Sequence, residues 1–73
     1  MGVPVRYAVV VSRTDTGYSA YPPDLPGVGV AGRSLEEVLA LIEEAIAFHL
    51  EGLRLHDEPV PEPTSETYIV EVA

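Results

Sequence analysis

Ser34-Leu35-Glu36-Glu37-Val38-Leu39-Ala40-Leu41-Ile42-Glu43-Glu44-Ala45-Ile46-Ala47-Phe48-His49-Leu50-Glu51-Gly52-Leu53 is the longest periodic stretch in this chain, and its reading decides the fold. Ser34 with Glu37 three residues on is a capping box, in which a hydroxyl satisfies one of the orphan N–H groups that open a helix. Leu35, Val38, Leu39, Ile42, Ala45, Ile46, His49, Leu50 and Leu53 then recur at i, i+3, i+4 and i+7, the period of one helix face. Glu36, Glu43, Glu44, Glu51 and Arg54 cover the opposite side. Gly52 weakens the last turns, so the helix is expected to end near Leu53 or Arg54. A single amphipathic helix needs a second apolar layer, and the flanking segments supply strands for it.

Upstream, Val5-Arg6-Tyr7-Ala8-Val9-Val10-Val11 is rich in β-branched and aromatic residues and reads as a strand. Its valines are continuous rather than alternating, which predicts burial on both faces. Thr14-Asp15-Thr16-Gly17 has turn chemistry, and Tyr18-Ser19-Ala20-Tyr21 returns as the second arm of a hairpin. Pro22-Pro23-Asp24-Leu25-Pro26-Gly27 holds three prolines and is a rigid loop. Val28-Gly29-Val30-Ala31 is a short third strand. Downstream, Pro59, Pro61 and Pro63 make 57–66 an extended connector, and Thr67-Tyr68-Ile69-Val70-Glu71-Val72 reads as a fourth strand. The predicted fold is α+β, β-β-β-α-β in one domain. The four-stranded, mostly antiparallel sheet has the order 3-2-1-4, with the last strand entering beside the first by a right-handed crossover. The helix covers one face.

With 73 residues and no cysteine, neither a disulfide framework nor a thiolate metal site can staple this domain. Packing and self-association are left to stabilise it. Met1–Pro4 has no basic segment of a secretory signal, and no apolar run approaches a membrane span, so a cytoplasmic protein with no membrane partner is expected. The net charge is −8, and its placement matters more than its size. Residues 1–34 carry Arg6, Arg13 and Arg33 against Asp15 and Asp24, a net of +1. Residues 35–73 carry ten carboxylates against Arg54, a net of −9. Such a half repels nucleic acid and favours a basic partner, although acidic surface also serves solubility alone.

Gly17-Tyr18-Ser19-Ala20-Tyr21-Pro22-Pro23-Asp24-Leu25-Pro26-Gly27, followed by Gly32-Arg33-Ser34-Leu35-Glu36-Glu37-Val38, resembles the signature of HicB antitoxins. Members typically show G-Y-x-A, a P-D-L-P-G loop, and G-x-T/S-x-E-E opening the helix. Ala45-Ile46, His49-Leu50-Glu51-Gly52-Leu53 and Val60-Pro61-Glu62-Pro63 are similar to the family's later segments. The likeness covers nearly the whole chain. It implies a partial ribonuclease-H-like fold, the same β-β-β-α-β order reached from pattern. It also implies a protein that neutralises a HicA-type toxin, a small basic mRNA-degrading protein, by covering its active site. Many relatives add a DNA-binding helix-turn-helix or ribbon-helix-helix. This sequence stops at Ala73, directly after the last expected strand, so that segment is not expected here, and the acidic half is what argues against direct nucleic-acid binding.

A ribonuclease-H-like core raises the question of two-metal phosphoryl chemistry, which needs several carboxylates converging on one point. The strands offer Glu71, the turns offer Asp15 and Asp24, and the helix carboxylates face away from the apolar stripe. His49 lies within that stripe, where a packed histidine is the simpler reading than a ligand, and His56 lies in an acidic turn. Glycines 27, 29 and 32 precede no lysine and are turn residues rather than a phosphate loop. No catalytic, metal-binding or cofactor-binding residue is assigned, and the expectation is a non-enzyme without a cofactor.

The candidate site is therefore one of protein contact. Asp24 and Leu25, presented on a proline-stiffened loop that loses little entropy on binding, are candidate partner residues, with a structural link between strands as the alternative. Glu36 and Glu43 on the solvent side of the helix complete the set. Leu41 and Phe48, seven residues apart on the flank of the stripe, are candidate contacts of a homodimer or larger homo-oligomer. The other reading is a solitary homo-oligomeric scaffold or ligand-binding domain of the same fold with no toxin partner.

Overall fold

A computed structural model describes residues 5–73; the signal-peptide reading of Met1–Pro4 falls outside these residues. The element order is β1 (Val10–Thr14), β2 (Gly17–Tyr21), β3 (Val30–Gly32) and α1 (Leu35–Leu55). The three strands form one antiparallel sheet in the order β1-β2-β3. Thr14 opposes Gly17 around the two-residue turn at Asp15 and Thr16, and Val10 opposes Tyr21 at the far end of the ladder. Tyr18 opposes Gly32 and Ala20 opposes Val30. Gly17 sits where two backbones meet, since a Cβ on it would stand 2.1 Å from the Gly32 carbonyl oxygen. Only glycine allows that approach.

The helix begins as its capping box requires: the Ser34 hydroxyl accepts from the Glu37 N–H at 3.1 Å. It runs slightly past the expected stop and ends in a Schellman motif. The Asp57 N–H bonds to the Arg54 carbonyl at 3.2 Å, and the Glu58 N–H to the Leu53 carbonyl at 2.8 Å. Asp57 takes the left-handed position with φ 55°, and Pro59 follows, unable to continue the helix. Ala20, Val38 and Ile42 form the centre of the core, with Val9, Tyr18, Val28, Val30 and Ile46 packed around them. Alternation on β2 sends Tyr18 and Ala20 to the helix side, and α1 packs on β2 and β3 but not on β1.

Two expectations need correction. The first strand is not Val5–Val11 buried on both faces; it is Val10–Thr14, at the sheet edge, exposed over most of its length. Its ladder cannot extend upstream of Val10, because the partner strand ends at Tyr21 and runs into Pro22 and Pro23, which have no N–H to donate. Thr67–Val72 is also not a paired strand here: it lies off the sheet, so the described order is 3-2-1 without the fourth member. The connector before it is tied elsewhere. The Tyr7 hydroxyl donates to the Pro61 carbonyl, and Asp24 holds Thr64 and Ser65, so the chain leaves the domain from that second tie rather than along β1.

Candidate partner-binding site

The rigid loop between β2 and β3 turns its apolar side inward. Leu25 donates its N–H to the Pro22 carbonyl at 3.0 Å and accepts from Val28 N–H at 3.3 Å, closing two successive turns. Pro22 and Leu25 are both fully buried, Leu25 at 1% exposure. Gly27 supplies the left-handed backbone, φ +85°, that brings the chain back toward β3. Leu25 was read as a candidate partner residue or as part of a structural link between strands; it is buried within the domain, as the link requires.

Asp24, beside it, is committed within the chain. One carboxylate oxygen, Oδ2, accepts the backbone N–H of Thr64 and of Ser65, each at 2.9 Å. The other, Oδ1, accepts the Thr64 hydroxyl at 3.1 Å and the Ser65 hydroxyl at 2.8 Å. Four donors converge on two oxygens, so the charged form is favoured. The Ser65 backbone N–H, then its hydroxyl, hold the carboxyl below the ordinary aspartate range against an opposing cost of desolvation, with the Thr64 bonds adding to the lowering. The loop is thus a clamp on the connector, a role no local pattern in the sequence announces, since the two partners are 40 and 41 residues away.

The helix carries the surface that remains free. Glu36 and Glu43 are exposed, as are Glu44 and Glu51, and the four line its outer side. On the flank of that face Leu41 is half-buried, whereas Phe48 is 79% and Leu55 is 77% exposed. These three are spaced by seven residues, so they stack about 10 Å apart along the axis with little rotation. Half-buried Ala45 and Gly52 fall between them, giving the alternating four-and-three spacing that packs against a second helix. Leu55 was missed in the sequence reading because the helix was ended one or two residues too early; its i+7 relation to Phe48 was the available signal. Among the described residues, no group of three or more His, Asp or Glu side chains converges to hold a metal ion, and no helix is long and apolar enough to cross a membrane.

This arrangement, an antiparallel sheet backed by one acidic helix with an exposed apolar flank, defines the class as a small α+β domain. Residues 7–72 match the family model described as the HicB-like antitoxin of bacterial toxin–antitoxin systems, and the chain belongs to that family. That family description names an antitoxin role for its members. The chain is similar to an uncharacterized 14.9 kDa protein from the rep–hol intergenic region of Haemophilus phage HP1, 38% identical over 64 residues. That alignment covers 86% of this chain but 48% of the phage protein, so this chain spans about half of that relative's length. It is also similar to a UPF0150 protein of Thermoplasma acidophilum, 33% identical over 67 residues, covering 90% of this chain and 97% of the relative. No solved structure matches significantly.

Proposed function

We propose that this chain is the antitoxin of a toxin–antitoxin pair and neutralises a small basic mRNA-degrading toxin of HicA type by covering its active site. The observation that carries the reading is the segregation of charge in a HicB-family chain: residues 35–73 hold a net of −9, with five of the ten carboxylates on the helix and five in the segment after it. A toxin that grips RNA must present a positive surface, and an acidic face competes for it. Glu36 and Glu43 supply the steering charge, and Phe48 and Leu55 supply the apolar centre first sought at Leu25. The domain works in the cytoplasm as a homodimer or higher homo-oligomer, with the partial ribonuclease-H-like sheet completed in the order 3-2-1-4. The direct test is co-expression with the small basic protein encoded next to it. Growth arrest by that protein, relieved by this chain, supports the reading; a neighbour that this chain neither binds nor silences sinks it.

A second reading, a solitary homo-oligomeric scaffold or ligand-binding domain, is favoured by the Leu41–Phe48–Leu55 row, which suits a second copy as well as a toxin. Titration calorimetry with the purified neighbour separates the two, since the scaffold gives no heat.

A further inference from the structure

Two halves of an unmade interaction stand on the same chain. The first is Thr67–Val72, whose Tyr68, Ile69, Val70 and Val72 are 78–98% exposed. Such a run of β-branched and aromatic residues has high strand propensity and is costly to leave in water. The second is the outer edge of β1, five residues long, whose ladder is satisfied on the β2 side alone. An open edge of that length is a template for another strand. The chain does not join these halves itself, because Asp24 pins Thr64 and Ser65 and the segment departs from that clamp. The projection shows in the radius of gyration, 13.8 Å, against about 11 Å for a compact domain of this length.

We infer that Thr67–Val72 of one copy adds as the missing fourth strand to the β1 edge of a second copy. The occupant is a second copy because both halves occur once per chain, so a reciprocal exchange closes under a two-fold axis and leaves neither open. Charge agrees: the segment carries Glu71, with Glu66 just before it, and β1 carries Arg13 with Arg6 upstream. The other edge, β3, is three residues long against the five of β1 and offers a shorter template. The assignment deepens the self-associating, four-stranded reading proposed above and does not depend on a toxin.

The test uses the full chain alone, by sedimentation, so its outcome is separable from any failure to bind a toxin. The chain is expected to sediment as a dimer, and Ile69→Asp with Val70→Asp to give a monomer. The helical circular dichroism should be unchanged, because Ile69, at 98% exposure, has no packing to lose. The chain has no native cysteine, so a mixture of Ser12→Cys chains and Val70→Cys chains, joined by a short bis-maleimide, reports the contact between copies. A cross-linked mixed dimer is expected. A monomer at tens of micromolar overturns the proposal. So does a dimer that survives the Ile69/Val70 variant and dissociates with Phe48→Asp, which would place the contact on the helix. Cross-linking of Val70→Cys chains to each other but not to Ser12→Cys chains overturns it as well, since the segments would then pair together.

Discussion

Asp24 takes hold of Ser65 twice, through its backbone N–H at 2.9 Å and its hydroxyl at 2.8 Å, across 41 residues of chain. With Thr64 bound in the same way, the loop before β3 decides where the chain goes after the helix. The two backbone N–H groups can only donate, whereas the two hydroxyls can also accept, so an asparagine with its amide N–H₂ turned to the hydroxyls keeps the set. Asp24→Ala removes both acceptor oxygens and loses all four bonds. Faster amide hydrogen exchange at Thr64 and Ser65, with α1 still protected, is the expected outcome. Unchanged exchange at both would show that the connector is held by the Tyr7–Pro61 contact instead.

The same clamp is pH-dependent. A carboxyl whose folded pKa is lowered binds protons more weakly folded than unfolded. Its contribution to stability is therefore present above the ordinary aspartate value of 3.8 and is lost as pH falls through the lowered folded value. Urea midpoints measured from pH 6 down to pH 2 should fall more steeply below pH 4 for the native chain than for Asp24→Asn. Parallel curves would contradict this, since other carboxylates acidify equally in both proteins.

Leu25→Ala tests the loop as core. Truncating a fully buried leucine costs about 2–5 kcal/mol, a large share of what a domain of this size has. Urea denaturation should show that loss, and partner binding by the folded fraction should be unaltered. A loss under about 1 kcal/mol would mean that the loop opens readily and presents Leu25 after all.

Backbone chemistry gives a pair of opposite sign. Asp57 occupies the left-handed helix C′ position at φ 55°, where a side chain is strained, so Asp57→Gly should raise stability by up to about 1 kcal/mol. Gly27, at φ +85° with open space around its Cα, should lose about 1–2 kcal/mol as Gly27→Ala, from conformation alone. Thermal melts of the two variants are the measurement, and a matching sign for both would refute the argument.

Glu36→Lys with Glu43→Lys should leave the melting temperature nearly unchanged, because both residues are exposed. It should slow association with a basic toxin, and the native rate should fall with salt as the Debye length shrinks from about 30 Å at 0.01 M to about 8 Å at 0.15 M. Phe48→Asp should instead raise the dissociation rate. Stopped-flow rates that ignore both salt and the reversals would remove electrostatic steering from the proposed mechanism.

The sequence by itself determined what depends on neighbours a few residues apart: the Ser34 cap, the helical stripe through Val38, Ile42, Ile46 and Leu50, the Asp15–Thr16 hairpin turn and the proline-locked connector. Each follows from hydrogen bonds and side-chain periods that close locally, and so do the family motifs those segments spell. Tertiary structure alone decided the rest. Leu25 and Phe48 are both large apolar residues, yet one is buried and the other faces water, because the β2–β3 loop folds inward while nothing covers Phe48 on the helix. Asp24 could not be read as a clamp, since its donors arrive from 40 and 41 residues away. Strand propensity in Thr67–Val72 states that the segment can pair and leaves its partner open. Ladder bonds are made between strands, so the choice of edge rests on where the clamp releases the chain.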